Sequence, residues 1–258
     1  MATALALSAT SVAAGAPPRA EPGARLFVGR QGIFDLTGTV HGYEFLYRAS
    51  REHTVCVDRW SAAAQDRATS RVLQATFSPI GVRPLASSAL VFVNFTRSFL
   101  VGDLPVPTRP DRLVLEVVES VRVDAEVVAG VARLREAGFR IALDDFVGLR
   151  GQEALLPMAD YVKIDLRDLH QRGPVLLDEG RRHGATLVAE RVETRAEWKW
   201  CRELGFDLFQ GDLLESTQVL NRTPIQCKRA PRPTPTELDG VRQRPAAEES
   251  LPAQVAVS

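Results

Sequence analysis

Polar and acidic side chains close a series of short apolar runs along this chain. They are, in order, Glu44, Asn94, Glu116, Asp144, Asp145, Lys163, Glu190 and Gln210. A single acid after an apolar run usually caps a helix or meets water. A whole ordered series has another explanation, because the carboxyl ends of parallel barrel strands converge on one rim, where catalytic groups are found. The pattern therefore predicts a carboxylate-rich pocket.

The chemistry of such a pocket follows from its donors. Carboxylates crowded at one rim would raise one another's pKa unless a cation lay among them. Oxygen donors suit Mg²⁺ or Mn²⁺, whereas the histidines and cysteines lack the spacing of a zinc site. The adjacent Asp144 and Asp145 could serve two metal ions about 3.5–4 Å apart, as in phosphoester hydrolysis. Lys163 would orient the attacking water or stabilise charge on the phosphoryl oxygens.

The elements that must position these residues alternate between strand and helix. Apolar, β-branched runs predict strands at 26–35, 40–46, 89–95, 113–118, 140–143, 161–164, 186–189 and 207–209. Helical patterns predict helices at 59–76, 124–137, 174–183 and 195–204, with Asp124 as an N-cap and Gly138 as a stop. This alternation favours parallel strands with crossover helices.

Eight strands favour an α/β fold of the modified (β/α)₈, TIM-like type, with an open doubly wound sheet as the alternative. Only four residues, which include the turn-like Thr37, Gly38 and Thr39, separate the first two strands. That loop is too short for a crossover helix, so the first strand is expected to run antiparallel to the second.

Composition bounds the rest of the interpretation. Lys+Arg and Asp+Glu are equal at 32 each, so no global basic field attracts a nucleic-acid polymer or a membrane. The Ala-rich residues 1–24 and the Pro-rich residues 228–258 predict a disordered leader and tail, with a folded domain at 25–227. The three cysteines show no C-x-x-C spacing, which favours free thiols in the cytoplasm.

Seven strings in a fixed order carry a family resemblance. They are GRQGIFDLTGTVHGYEFLYR, VFVNFT, LVLEVVES, IALDDF, YVKIDL, LVAERVET and GFDLFQG. Together they resemble the EAL-domain family, phosphodiesterases that hydrolyse bacterial cyclic di-GMP to linear pGpG. VFVNFT, DDFV, AERVET and the DRAT segment at 66–69 are most similar to the subgroup in which EAL precedes an HDOD domain, with this chain corresponding to the EAL part.

The resemblance implies a role for each matching residue. It makes Glu44, Asn94, Glu116, Asp144 and Glu190 metal ligands, and Asp145 the ligand of a second Mg²⁺ or Mn²⁺. Lys163 would be the water-orienting base, and Gln210 would position that group or the nucleotide. Gln31 and Arg48 match positions that contact the ligand, and Glu119 matches a glutamate that braces the loop after the fifth strand.

The chain also departs from the family pattern. Residues 147–151, VGLRG, replace the loop that orders the second metal site, and Arg191 replaces a glycine. Asp212 and Glu215 add negative charge on the approach of an anionic ligand. Three hypotheses stay open: a phosphodiesterase, which the intact ligand set favours, an inactive cyclic di-GMP sensor, and a protein-interaction domain. Homodimerisation is likewise open.

Overall fold

A computed structural model describes residues 26–48, 60–77, 86 and 88–222. The chain divides into two units, Met1–Ile225 and Gln226–Ser258, and every described residue lies in the first unit. The predicted leader at 1–24 and tail at 228–258 lie outside the described residues.

Strands and helices alternate through most of the described chain. The strands are β1 (Leu26–Asp35), β2 (Val40–Arg48), β3 (Leu90–Phe95), β4 (Leu113–Val117), β5 (Arg140–Leu143), β6 (Tyr161–Asp165), β7 (Thr186–Glu190), β8 (Leu208–Phe209) and β9 (Gln218–Arg222). The helices are α1 (Ala62–Phe77), α2 (Arg97–Val101), α3 (Ala125–Glu136), α4 (Arg150–Leu155), α5 (Leu166–Arg172), α6 (Val175–Arg181) and α7 (Arg195–Glu203), with a 3₁₀ turn at Leu156–Met158.

The sheet closes into a barrel. Strands β2 to β8 are parallel neighbours in chain order, and β1 completes the circle by pairing antiparallel with both β8 and β2. This confirms the predicted barrel and its reversed first strand. Gln31 stands opposite Glu44 in the β1–β2 register. The turn between β1 and β2 is closed by the Asp35 carboxylate, which accepts hydrogen bonds from the backbone N–H groups of Thr37 and Thr39.

The structure adds elements that the sequence patterns did not predict. Strand β9 pairs antiparallel with residues Leu26 to Arg30 of β1, on the edge where β8 pairs only at Phe34 and Asp35. The short helices α2, α4 and α5 also went unpredicted, because five to seven residues are too few to show a helical period.

Local signals account for the longer helices. Asp124 caps α3 by accepting hydrogen bonds from the N–H groups of Glu126 and Val127, and Gly138 ends the segment at φ +89°. Buried residues of α1 recur at helical spacing, including Ala64, Ala68 and Val72. They face the barrel wall, so one part of the core lies between wall and helices and the other inside the barrel. No helix among the described residues is long and apolar enough to span a membrane.

Candidate functional site

Strand alternation builds the site as a polar layer above an apolar one. The barrel interior holds a buried cluster of Ile33, Phe92, Val114, Ala142, Tyr161, Val188 and Leu208. Each of these apolar residues has a polar residue two positions away along the chain, where side chains point in the same direction. These polar residues are Gln31, Asn94, Glu116, Asp144, Lys163, Glu190 and Gln210. Glu44 joins this layer from β2, opposite Gln31. A period of two therefore brings the predicted residues to one level of the barrel.

Lys163 occupies the centre of this layer and is fully buried. Its Nζ lies 2.8 Å from Asp144 Oδ1, 2.9 Å from Glu116 Oε1, 2.9 Å from Glu190 Oε1 and 3.4 Å from Glu44 Oε2. One ammonium group thus contacts carboxylates on three other strands, β2, β4 and β7, and a fourth just beyond β5. Because four carboxylates face one cation, the cluster has an excess of potential negative charge.

Burial and charge shift the titration of this cluster strongly. Burial lowers the pKa of Lys163, but the surrounding carboxylates, led by Asp144, raise it by more than burial lowers it. The pKa of Lys163 therefore lies well above its ordinary value. Burial raises the pKa of Glu116 and of Glu190 well above the ordinary range, and Lys163 offsets only part of that increase. Lys163 therefore stays protonated, and proton uptake by the buried Glu116 and Glu190 is favoured.

The glutamines link the cluster to β1 and to the segment after β8. Gln210 donates from Nε2 to Glu44 Oε2 at 2.6 Å and to Gln31 Oε1 at 3.2 Å. Gln31 in turn donates to the backbone oxygen of Glu215 at 3.2 Å, and its Nε2 lies 3.5 Å from Asp212 Oδ1. Gln31, Gln210 and Glu44 therefore form one chain of contacts, which ends at the two acids that depart from the family pattern.

Asp145 stands apart from the main cluster. Its backbone is left-handed at φ +42°, and burial together with the charge of Asp144 raises its pKa to about 7. Its carboxylate groups with those of Asp165 and Asp168, with one oxygen from each within 4.8 Å of the others. Asp165 is already paired, with Arg167 at 2.5 Å and with Arg191 at 2.8 Å. The second acidic group is thus partly neutralised by the chain's own arginines.

Two more of the predicted residues, Arg48 and Glu119, lie outside the central layer. The Arg48 Nη1 donates to its neighbour's carbonyl, Tyr47 O, at 2.9 Å, and the guanidinium lies over Gly29 of β1. Burial lowers the pKa of Arg48, against the opposing charge of Glu44. Glu119 is exposed and has no hydrogen bond or ion pair within the described ranges, although its charge helps to raise the pKa of Asp145. Its bracing role stays a prediction.

Gln152 is a site residue that the sequence patterns did not single out. Its Nε2 donates to the backbone oxygen of Asp145 at 3.1 Å, and its Oε1 accepts from the N–H of Val147 at 3.0 Å. It therefore ties α4 to the loop after β5. Gln152 lies in a helix of six residues, which is too short to show a periodic signal. For Asp165, the Lys163-x-Asp165 alternation indicated that it would share the face of Lys163.

The donors of the main cluster fit a divalent cation. The Asn94 Oδ1 and the Glu116 Oε2 are buried and accept no hydrogen bond from the described residues, whereas Glu116 Oε1 lies 2.9 Å from Lys163 Nζ. Buried oxygens of this kind cost free energy unless a positive partner is present. Carboxylate and amide oxygens are the ligands that Mg²⁺ and related hard cations prefer. Glu44, Asn94, Glu116, Asp144 and Glu190 are the residues that would hold the ion.

The closed barrel places its acidic, lysine-centred layer at the strand ends, where (β/α)-barrel enzymes carry their active sites. The family model described as "EAL domain" matches residues 25–216. The chain belongs to the EAL domain family.

Named relatives agree with this assignment. Over 203 residues, or 76% of this chain, the protein is 34% identical to YuxH of Bacillus subtilis and 30% identical to the cyclic di-GMP phosphodiesterase CdgJ of Vibrio cholerae. These matches cover 48% and 45% of the two relatives, so the chain spans about half the length of each.

A solved structure supports the same fold. BlrP1 of Klebsiella pneumoniae, determined with manganese and cyclic di-GMP, is 26% identical, with a TM-score of 0.59. The match covers 81% of this chain and 58% of that one. A calcium complex of BlrP1 with the same nucleotide also matches, so this relative binds divalent metal ions together with the nucleotide.

Proposed function

We propose that this protein hydrolyses cyclic di-GMP to linear pGpG with Mg²⁺ or Mn²⁺ as its cofactor. The observation that carries the proposal is the convergence of Glu44, Glu116, Asp144 and Glu190 on Lys163 Nζ within 3.4 Å. CdgJ is named for this activity, and BlrP1 was solved with the nucleotide and a metal ion, which supports carrying the chemistry over to this chain.

The reaction consumes one water and breaks one of the two phosphodiester bonds. The water oxygen forms the new P–O bond, and the leaving 3′ oxygen takes up a proton. A bound divalent metal ion would lower the pKa of water and stabilise charge on the phosphoryl oxygens. The chain supplies a dry, rigid setting, because Lys163 and Glu116 are fully buried on strands of the barrel wall.

Lys163 acts in this proposal as a hydrogen-bond donor. Its neighbours keep the pKa of Lys163 well above neutrality, so Nζ carries a proton that can orient water or meet a phosphoryl oxygen. Gln210 holds the Glu44 carboxylate through its 2.6 Å hydrogen bond. Gln31 Oε1 accepts a second hydrogen bond from the same Gln210 Nε2, and Arg48 contributes positive charge near Glu44.

A second candidate function is nucleotide sensing without turnover. Arg167 and Arg191 pair with Asp165, beside Asp145, where the resemblance places the second metal ion. An arginine-neutralised acid binds a cation more weakly, so a site with only one metal ion would bind the nucleotide and cleave it slowly or not at all. A barrel kept only to dock another protein is the third alternative.

One assay separates these functions. The full chain is incubated with cyclic di-GMP and Mn²⁺ or Mg²⁺, pGpG is followed by chromatography, and nucleotide binding is measured by calorimetry. Glu44→Ala is expected to abolish turnover, while Glu136→Ala, the same change on an exposed helix position, should leave it unaltered. EDTA should stop the reaction, and added Mn²⁺ should restore it.

Each alternative has its own result in this assay. If the wild-type chain binds cyclic di-GMP but forms no pGpG, the phosphodiesterase hypothesis is rejected and the sensor hypothesis is supported. If the wild-type chain does not bind cyclic di-GMP at all, the protein-docking function is the one left. Turnover by Glu44→Ala equal to the wild-type rate would show that the activity does not come from this cluster.

Two finer assignments belong to the same proposal. The VFVNFT, AERVET and DRAT segments support a place in the EAL-plus-HDOD subgroup. The cysteine pattern supports a cytoplasmic location.

A further inference from the structure

Helix α1 is fastened to the end of β3 by a side chain that reaches across the fold. The Thr69 hydroxyl, which is 6% exposed, donates to the backbone oxygen of Asn94 at 2.8 Å. A threonine inside a helix commonly bonds the carbonyl of its own preceding turn. Thr69 instead bonds a carbonyl 25 residues away, at one of the implied metal ligands.

A second connection lies two residues further along the same strand end. The Asp66 carboxylate accepts a hydrogen bond from the Thr96 hydroxyl and another, of 2.9 Å, from Ser98 Oγ. Thr96 is the N-cap residue of α2, yet its side chain makes no capping hydrogen bond there. The Thr96 hydroxyl bonds to Asp66 of α1 instead. Helix α1 is therefore hydrogen-bonded to the chain at Asn94 and also just after it, at Thr96 and Ser98.

Both α1 residues are weaker helix formers than the alanines around them. Asp and Thr cost a few tenths of a kcal/mol relative to Ala inside a helix. Asp66 lies beyond the first turn of α1, which begins at Ala62, so a helix-capping role does not explain it. Their tertiary hydrogen bonds supply the reason for these residues.

Asn94 depends on such support more than the other members of the site. The four carboxylates of the layer are each fixed by contact with Lys163 Nζ. The Asn94 Oδ1 is buried and accepts no hydrogen bond from the described residues. Its place relative to the carboxylates is therefore set by the backbone that carries it.

We propose that Thr69 and Asp66 are positioning residues for Asn94, and that α1 thereby sets the affinity of the site for a divalent metal ion. The inference deepens the proposed function and rests on it for the role of Asn94 as a ligand. Groups that orient a metal ligand typically contribute 10- to 100-fold in metal affinity. The hydroxyl of Thr69 acts on a backbone carbonyl, so its effect passes through Asn94.

The test measures Mn²⁺ affinity directly, from the electron paramagnetic resonance signal of free Mn²⁺ titrated into the full chain. Thr69→Val keeps the shape and removes the hydroxyl, and it is expected to raise the Kd for Mn²⁺ about 10- to 100-fold. Thr69→Ser restores the hydroxyl and should stay within about threefold of wild type. Asp66→Ala, a second variant, should weaken Mn²⁺ binding in the same direction.

Thr76 provides a matched control on the same helix. It is 0% exposed, and its hydroxyl has no hydrogen-bond partner within the described residues, so Thr76→Val makes the same chemical change without touching Asn94. Its Mn²⁺ Kd should equal that of wild type. In an Asn94→Ala background, the effect of Thr69→Val should fall below about twofold, because a positioning residue has nothing left to position.

Several results would overturn the inference: an unchanged Mn²⁺ Kd in folded Thr69→Val, an equal loss in Thr76→Val, or an undiminished Thr69→Val effect in the Asn94→Ala background. A wild-type chain that binds no Mn²⁺ would also overturn it. Circular dichroism shows whether each variant folds, and Asp66→Ala carries the test if Thr69→Val does not. Mn²⁺ binding without pGpG formation would count against the proposed enzyme alone and would leave the positioning role intact.

Discussion

Replacement of Lys163 by methionine removes an ammonium group that lies within 3.4 Å of four carboxylates, while keeping a side chain of similar length. In the wild-type chain Nζ contacts Asp144, Glu116 and Glu190 at 2.8–2.9 Å, and Glu44 lies 3.4 Å away. Lys163 and Glu116 are 0% exposed, so water cannot take over the solvation that the ammonium provides. The variant leaves buried carboxylates facing one another.

The expected cost follows from that geometry. Breaking a buried ion pair by removing one partner typically costs about 3–5 kcal/mol. For a folded unit of this size, that corresponds to a fall of about 6–20 °C in Tm. The largest effect is expected in EDTA at about pH 8, where the carboxylates hold fewest protons.

Acidity should reduce this cost. Folding raises the pKa of Glu116 and Glu190 above the ordinary 4.5, so the folded chain binds more protons than the unfolded one. Stability from these groups is therefore present below about pH 4.5 and is lost as the pH rises. Lys163 lowers both pKa values, so its removal should steepen that loss. The Tm gap between variant and wild type should narrow from about pH 8 to about pH 5.

Thermal unfolding in EDTA and in Mn²⁺ is the assay, with Lys199→Met as the matched control. Lys199 is 78% exposed and pairs with Glu203 at 3.7 Å, and an exposed pair of this kind should change Tm by no more than about 1–2 °C when broken. Mn²⁺ should stabilise Lys163→Met more than wild type, because a bound cation restores positive charge to the cluster. Equal Tm values for Lys163→Met and Lys199→Met in EDTA at about pH 8 would refute the reasoning.

Three further predictions test other parts of the structure. Gly130→Ala should lower the free energy of unfolding, measured in denaturant titrations, by about 3 kcal/mol or more, because a Cβ there would lie 2.0 Å from Leu100 O. A variant more stable than wild type would contradict the close packing of α2 on α3. Burial raises the pKa of Cys201 to about 12, so this thiol should not react with iodoacetamide at pH 8 until guanidinium unfolds the chain, as followed by mass spectrometry. Rapid labelling of Cys201 in the native chain would contradict this prediction. Asp212→Asn removes an exposed charge beside Gln31 and should tighten cyclic di-GMP binding about two- to fivefold at low salt, and calorimetry showing no gain would place the nucleotide away from this segment.

The sequence by itself determined which residue types stand at the strand ends. Side chains along a strand alternate with a period of two, so the polar residue two positions beyond an inward apolar residue shares its direction. Val114 with Glu116 and Tyr161 with Lys163 show this regularity, which is visible in the order of residues alone. The reversed first strand was likewise predictable, because the four residues between Asp35 and Val40 leave no room for a crossover helix.

Only the tertiary structure decided which of these groups touch. Strand alternation places Lys163 on the inward face, but barrel closure and register bring its Nζ to carboxylates on β2, β4 and β7 and just beyond β5, up to 119 residues away in the chain. The Thr69–Asn94 hydrogen bond and the pairing of Arg191 with Asp165 depend in the same way on how a helix or loop packs on the wall. Periodicity reports the direction of a side chain within its own element, and contacts between elements require the distances that closure of the barrel sets.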